Sequence, residues 1–178
     1  NENSDSRIIM TCPLNRKDIL NAYINKSIDR FVDYISESLD IDICSVMLSD
    51  DLTGELRVAS ARGLDDKVVK TTCIKHGDKI AGWVALEGKP LFISDIETDS
   101  RFAKKNIPQY NNKSLMSLPL KMDDRVIGML NLNNKKSSDP FSQQDYERAL
   151  ALIDSFSNHL RHAYSKQFND AEIFQLIE

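Results

Sequence analysis

The sequence predicts an α+β domain in which antiparallel β-hairpins lie between two long helices. Two observations carry that expectation. Apolar residues recur at helical spacing near both ends of the chain, and between them the period drops to two, broken by short turns of Asp and Gly. Hairpins flanked by helices bury their apolar faces most simply as a layered α+β fold.

The opening stretch, residues 1–16, is polar and irregular. From there Ile24, Ile28, Phe31 or Val32, Ile35 and Leu39 fall on one stripe, predicting a helix over 17–39. Ile43 to Leu48 reads as a buried strand, Asp50 to Gly54 as a turn, and Glu55 to Ala61 alternates as the second arm of a hairpin. Residues 64–70 suit a short helix, and Thr71 to Lys75 a short third strand. Asp78 is placed to cap a helix carrying Ile80, Trp83, Val84 and Leu86, which Gly88 and Pro90 end. Leu91 to Ser94 is a strand. Residues 95–113 form a polar stretch without a clear period, a length that in a compact domain usually serves function. Leu115 to Met122 follows as a strand whose Pro119 calls for an edge or a bulge. Asp123 and Asp124 turn the chain into the apolar run from Arg125 to Leu132. The last helix begins after Phe141, with Tyr146, Ala149, Leu150, Ile153, Phe156, Leu160 and Ala163 on one face. Ser142 and Asp145 have capping-box spacing, and Phe141 and Tyr146 that of a hydrophobic staple. A connector helix is expected over 166–178.

Composition narrows the function classes. The chain has 178 residues and a net charge of −4, without a basic run, so no nucleic acid is expected as a partner. There is no apolar run of membrane-spanning length and no signal peptide, and the expected location is the cytoplasm. Cys12, Cys44 and Cys73 form no C-x-x-C pair and stand near no histidine cluster, which fits ordinary thiols in a reducing compartment. His159 and His162 share a helix face, yet spacing supplies no third metal ligand, so no metal site is expected. Asn131 is the first amide in an apolar strand, on the face of Ile127 and Met129. It is either a ligand contact or a strand end satisfied by backbone.

Six segments, in order over residues 41–165, resemble the GAF domain family. They are Cys44 to Leu48, Asp78 to Ala85, Pro90 to Asp95, Leu115 to Leu120, Val126 to Leu132, and Asn134-Lys135 followed by Phe141 and Asp145. The last is similar to the N-K…F…D-E signature of phosphodiesterase GAF domains, with Tyr146 in place of the final Glu. The resemblance implies a six-stranded antiparallel sheet of order 3-2-1-6-5-4. The terminal helices would lie on one face, and the short helix with the long loop on the other. It implies a domain core at 41–165, preceded by a signalling helix at 17–40. It also implies a Lys135–Asp145 ion pair beside the cap.

By the same resemblance the function is a non-enzymatic, ligand-sensing regulatory module of a larger, bacterial signalling protein. A homodimer through the terminal helices and a linked output domain downstream are implied as partners. The positions matching the pocket of cyclic-nucleotide-binding members are Ser45, Arg62, Ile80, Ala81, Lys105, Asn112 and Asn131. Arg62 and Asn131 stand where such members can carry carboxylates. That weakens the case for cyclic GMP and leaves a cyclic nucleotide or another small anion as the ligand, with Arg62 and Lys105 as its counter-charges. Ala81 stands where the family's free methionine sulfoxide reductases carry a Cys, and Cys73 is not at the bilin-attachment position, so neither thiol chemistry nor a covalent chromophore is expected. A dimerisation module with an empty pocket is the alternative.

Overall fold

The structure, a computed structural model, describes residues 16–50, 52–102 and 113–165. The expected irregular start, the connector helix at 166–178, and most of the long loop, with Lys105 and Asn112, lie outside the described residues.

The stripe from Ile24 to Ile35 is the buried face of α1 (Arg16–Ser38), and Leu39, also buried, follows its end. Asp40, with a left-handed φ of 56°, turns the chain into β1 (Ile41–Ser49). Asp50 accepts from the Leu52 and Thr53 amides at 2.8 and 3.0 Å, and that turn leads into β2 (Glu55–Arg62). A short α2 (Asp66–Thr71) precedes β3 (Cys73–Lys75). Then come α3 (Lys79–Glu87), β4 (Leu91–Ile93), β5 (Leu115–Met122), β6 (Arg125–Lys135) and α4 (Gln143–Ser165).

The six strands form one antiparallel sheet of order β3-β2-β1-β6-β5-β4, as the resemblance implies. Pro119 sits inside β5 at little cost, because β4 pairs only as far as Ser117 and a bulge follows between Leu120 and Lys121. β6 runs on to Lys135, so Asn131 stands within the strand and not at a strand end.

Alternation sorts the sheet into two layers. Cys44, Val46, Met116, Leu118, Leu120, Leu130 and Leu132 pack with α1 and α4. Met47, Leu56, Leu91, Ile93 and Met129 pack with Ala81, Val84 and Ala85 of α3. The α1–α4 seam is tied by a Phe31–Phe156 stack with centroids 4.1 Å apart and by Tyr23 Oη to His159 Nε2 at 3.0 Å. His159 is exposed on α4, and its contact with Tyr23 depends on how the two helices cross.

The helix ends differ in how closely they follow expectation. Gly88 ends α3 in the left-handed conformation, φ 64°, with its N–H donating to Val84 O. Asp78 holds the N-cap position, but Lys79 adopts φ 52° and the Asp78 side chain makes no capping bond. The α4 start is a full capping box. Asp145 N–H donates to Ser142 Oγ at 3.1 Å, and Ser142 N–H donates to Asp145 Oδ2 at 2.8 Å. Phe141 and Tyr146 belong to one apolar cluster, and Tyr146 also stacks on Phe92.

Candidate functional site

The two central pairings of β6 align three polar residues across the sheet. Asn131 is the register partner of Ser45 on β1 and of Ser117 on β5. The next row on the same face is Met47–Met129–Pro119, so the polar row faces the α3 layer. Ser117, only 1 % exposed, donates from Oγ to Asn131 Oδ1 at 2.7 Å. The Ser45 hydroxyl and the Asn131 amide nitrogen have no hydrogen-bond partner among the described residues. Among the described residues no fully buried side-chain nitrogen or oxygen lacks a partner, so these two polar atoms border open space.

The layer packed on this face of the sheet is apolar. Ala81 is buried in the α3-side cluster, and Ile80 and Trp83 pack against it. Trp83 meets Phe102 edge-on, with ring centroids 5.7 Å apart. Gly82 explains how α3 comes so close. A Cβ there would stand 2.2 Å from the Lys75 carbonyl oxygen, so only glycine lets the helix lie on β3.

Of the pocket positions named from sequence, the structure brings Ser45, Ile80, Ala81 and Asn131 to one side of the sheet. It separates Arg62 from them. Arg62 pairs in register with Cys44, whose side chain faces α1. Its guanidinium lies 2.8 Å from Asp33 and 3.8 Å from Glu37. A residue that pairs with Cys44 must share its face, so Arg62 fastens β2 to α1 and does not line the α3 side. Ser117 was missed by sequence reasoning, since an isolated serine beside Pro119 carries no signal until the register is known.

A groove of about 500 Å³ lies at the C-terminal end of α3. It includes Ser49, His76, Glu87 and Lys121, with Ser49 Oγ 3.2 Å from His76 Nε2. Ser49 stands four residues along β1 from Ser45, about 13 Å of strand.

The cap of α4 carries the charge pair that the resemblance implies. Lys135 Nζ donates to Asp145 Oδ2 at 3.0 Å, in addition to the Ser142 bonds. Burial pushes the Asp145 carboxyl up, but the Ser142 N–H, Lys135 and the Ser142 hydroxyl outweigh it and hold the group below the usual carboxylate range. Burial pushes the Cys44 thiol up to about 11, against the lowering effect of Arg62. Cys73 is exposed, and its hydrogen bond to Glu55 also pushes its thiol up. Neither thiol has the thiolate character of a nucleophile. Among the described residues no three His, Cys, Asp or Glu side chains converge as a metal site, and no helix is long and apolar enough to cross a membrane.

Comparison with known proteins agrees with this architecture. The GAF domain of an Acinetobacter phosphoenolpyruvate-protein phosphotransferase superposes with a TM-score of 0.65 at 21 % identity, over 86 % of this chain and 95 % of that one. The corresponding domain from Coxiella burnetii gives 0.65 at 20 % identity, over 84 % and 94 %. A type II free methionine-R-sulfoxide reductase from Thermoplasma acidophilum gives 0.64 at 16 % identity, over 80 % and 95 %. These likenesses concern the fold alone. No curated protein matches the sequence. The sequence model of the GAF domain matches residues 24–163, and the chain belongs to the GAF domain family, whose members are commonly regulatory or sensory modules of signalling proteins.

Proposed function

We propose that this domain senses a small molecule bound between the sheet and α3 and relays its state through α1 and α4 to the rest of a larger signalling protein. The observation that carries this reading is the Ser45–Asn131–Ser117 row. It is a line of polar groups in an otherwise apolar layer, with two of its hydrogen-bonding atoms left open. Ligand sites are mostly apolar with a few convergent polar groups, and this layer has that composition. Ile80 and Ala81 supply the apolar wall, and Lys105 and Asn112, outside the described residues, enter the proposal from the resemblance alone. Of the two counter-charges that the resemblance implies, Arg62 is engaged by α1, and the proposal keeps Lys105 for an anionic ligand.

The relay rests on β1. Ser45 faces the ligand side, while its neighbour Cys44 faces α1 and donates to Val32 O at 3.7 Å. Movement of β1 is therefore felt by α1 at once. Homodimerisation through α1 and α4 and a linked output domain complete the proposal, with the cytoplasm as its location. The role is regulatory and not catalytic; Ala81 stands at the reductase cysteine position.

The test is thermal stability against nucleotides, amino acids and organic acids, since a ligand selective for the folded state raises Tm. A shift in the wild type that is lost in Asn131→Leu supports the reading. No shift with any compound, or one unchanged in that variant, sinks it. A second reading, a dimerisation module without ligand, is favoured by the continuity of the α3-side cluster from Met47 to Ile96. It expects a dimer by sedimentation and no ligand response.

A further inference from the structure

We infer that Ser117 fixes the Asn131 amide so that the site selects ligands presenting a hydrogen-bond acceptor. The inference rests on the binding reading above and adds the polarity of the recognised group. An asparagine amide presents one acceptor and two donors, and its environment decides which edge faces the ligand. Here the deciding residue is Ser117. Its hydroxyl is 1 % exposed and must place its proton within the protein, and the acceptor it meets is Asn131 Oδ1 at 2.7 Å. With the carbonyl oxygen held toward β5, the amide nitrogen is the open atom.

The opposite neighbour in the row is the Ser45 hydroxyl, also without a partner among the described residues. A hydroxyl can donate or accept, so it imposes no polarity of its own. The Asn131 Nδ2 group can only donate. A bound carbonyl oxygen, pyridine-type ring nitrogen or oxyanion satisfies both neighbours at once. A group that can only donate leaves Nδ2 facing another donor, which costs the binding about what one hydrogen bond is worth. Ser117 is thus a positioning residue: it touches no ligand and sets specificity through Asn131. A carboxylate at position 131 would keep the bond from Ser117 and turn an acceptor toward the ligand. Asn131→Asp therefore inverts the preference.

Two measurements test this, the first without a ligand. In the folded, isotope-labelled protein, Ser117→Ala removes a donor from Asn131 Oδ1. The Asn131 13Cγ resonance should move upfield, while water exchange of the two Nδ2 protons stays the same. Faster Nδ2 exchange with an unchanged 13Cγ would mean that the serine accepts from the amide, and would overturn the orientation. The second titrates the 15N-labelled protein with the acceptor fragments pyridine N-oxide and N-methyl-2-pyridone, and with the donor fragments pyrrole and indole. Acceptors should perturb the Asn131 side chain and bind about tenfold more tightly than donors, the weight of one hydrogen bond. The ratio should collapse in Ser117→Ala and reverse in Asn131→Asp. Binding at this face with donors equal to or tighter than acceptors overturns the inference alone. Absence of any shift there with all four fragments overturns the binding reading, and the inference falls with it.

Discussion

Replacing Asp145 by alanine removes three bonds at one point. Its carboxylate accepts from the Ser142 amide at 2.8 Å, the Ser142 hydroxyl at 2.9 Å and Lys135 Nζ at 3.0 Å. Loss of a capping interaction costs about 1 kcal/mol. The Lys135 bond is charge-assisted and shielded, the two side chains being 20 % and 11 % exposed. Its loss adds about 1–2 kcal/mol, because the ammonium regains only part of its hydration. The expected total is about 2–3 kcal/mol, or about 5–10 °C in Tm for a chain of this size. Asp145→Asn retains an acceptor for the cap and loses the charge, so about half that penalty is expected. The assay is urea denaturation at pH 7, with a double-mutant cycle against Lys135→Met that should return a coupling of about 1 kcal/mol. The pH dependence has a definite sign. The folded Asp145 carboxyl lies below its unfolded value, so its contribution is complete above about pH 5 and is lost as pH falls through the folded value, below about pH 4. The stability gap between wild type and Asp145→Ala must narrow in that range. A penalty under about 0.5 kcal/mol at pH 7, or a gap that does not narrow in acid, would refute the reasoning.

Other substitutions probe the placement of α3, the Arg62 contact and the thiols. Gly82→Ala puts a Cβ 2.2 Å from Lys75 O and forces α3 off β3, straining the 2.8 Å bond from Gly77 N–H to Gly82 O. After the helix-propensity gain of about 1 kcal/mol, a net loss of about 1–3 kcal/mol is expected by denaturant titration. Gly54→Ala, where a Cβ meets nothing within 4 Å, should cost only the φ strain of about 1–2 kcal/mol. Arg62→Gln removes ion pairs to Asp33 and Glu37, which are 59 % and 70 % exposed, so its effect on stability should stay below about 1 kcal/mol and shrink in salt. A loss of ligand response in that variant without loss of fold would place Arg62 in the pocket after all. Native labelling with iodoacetamide at pH 8, read by peptide mass, should modify Cys73 and spare Cys44, which is buried with a thiol near 11.

Sequence alone determined most of the architecture, because the relevant forces are local. The apolar stripes of α1 and α4, the two-residue period of the hairpins, and Gly88 with Pro90 act within a few residues of chain, and the elements formed where those patterns lie. The Ser142–Asp145 box was legible for the same reason, its two residues being three apart. The site was legible only in part. Asn131 stood out as an amide in an apolar strand, but its partner Ser117 is 14 residues away and Ser45 lies on the first strand. Which residues share a row depends on strand pairing, and a shift of one residue would send each side chain to the other face. Arg62 shows the same limit: the resemblance implies a pocket position at the end of β2, yet its register with Cys44 turns it toward Asp33 and Glu37 of α1. Periodicity decides which residues are buried; pairing between distant strands decides which of them meet.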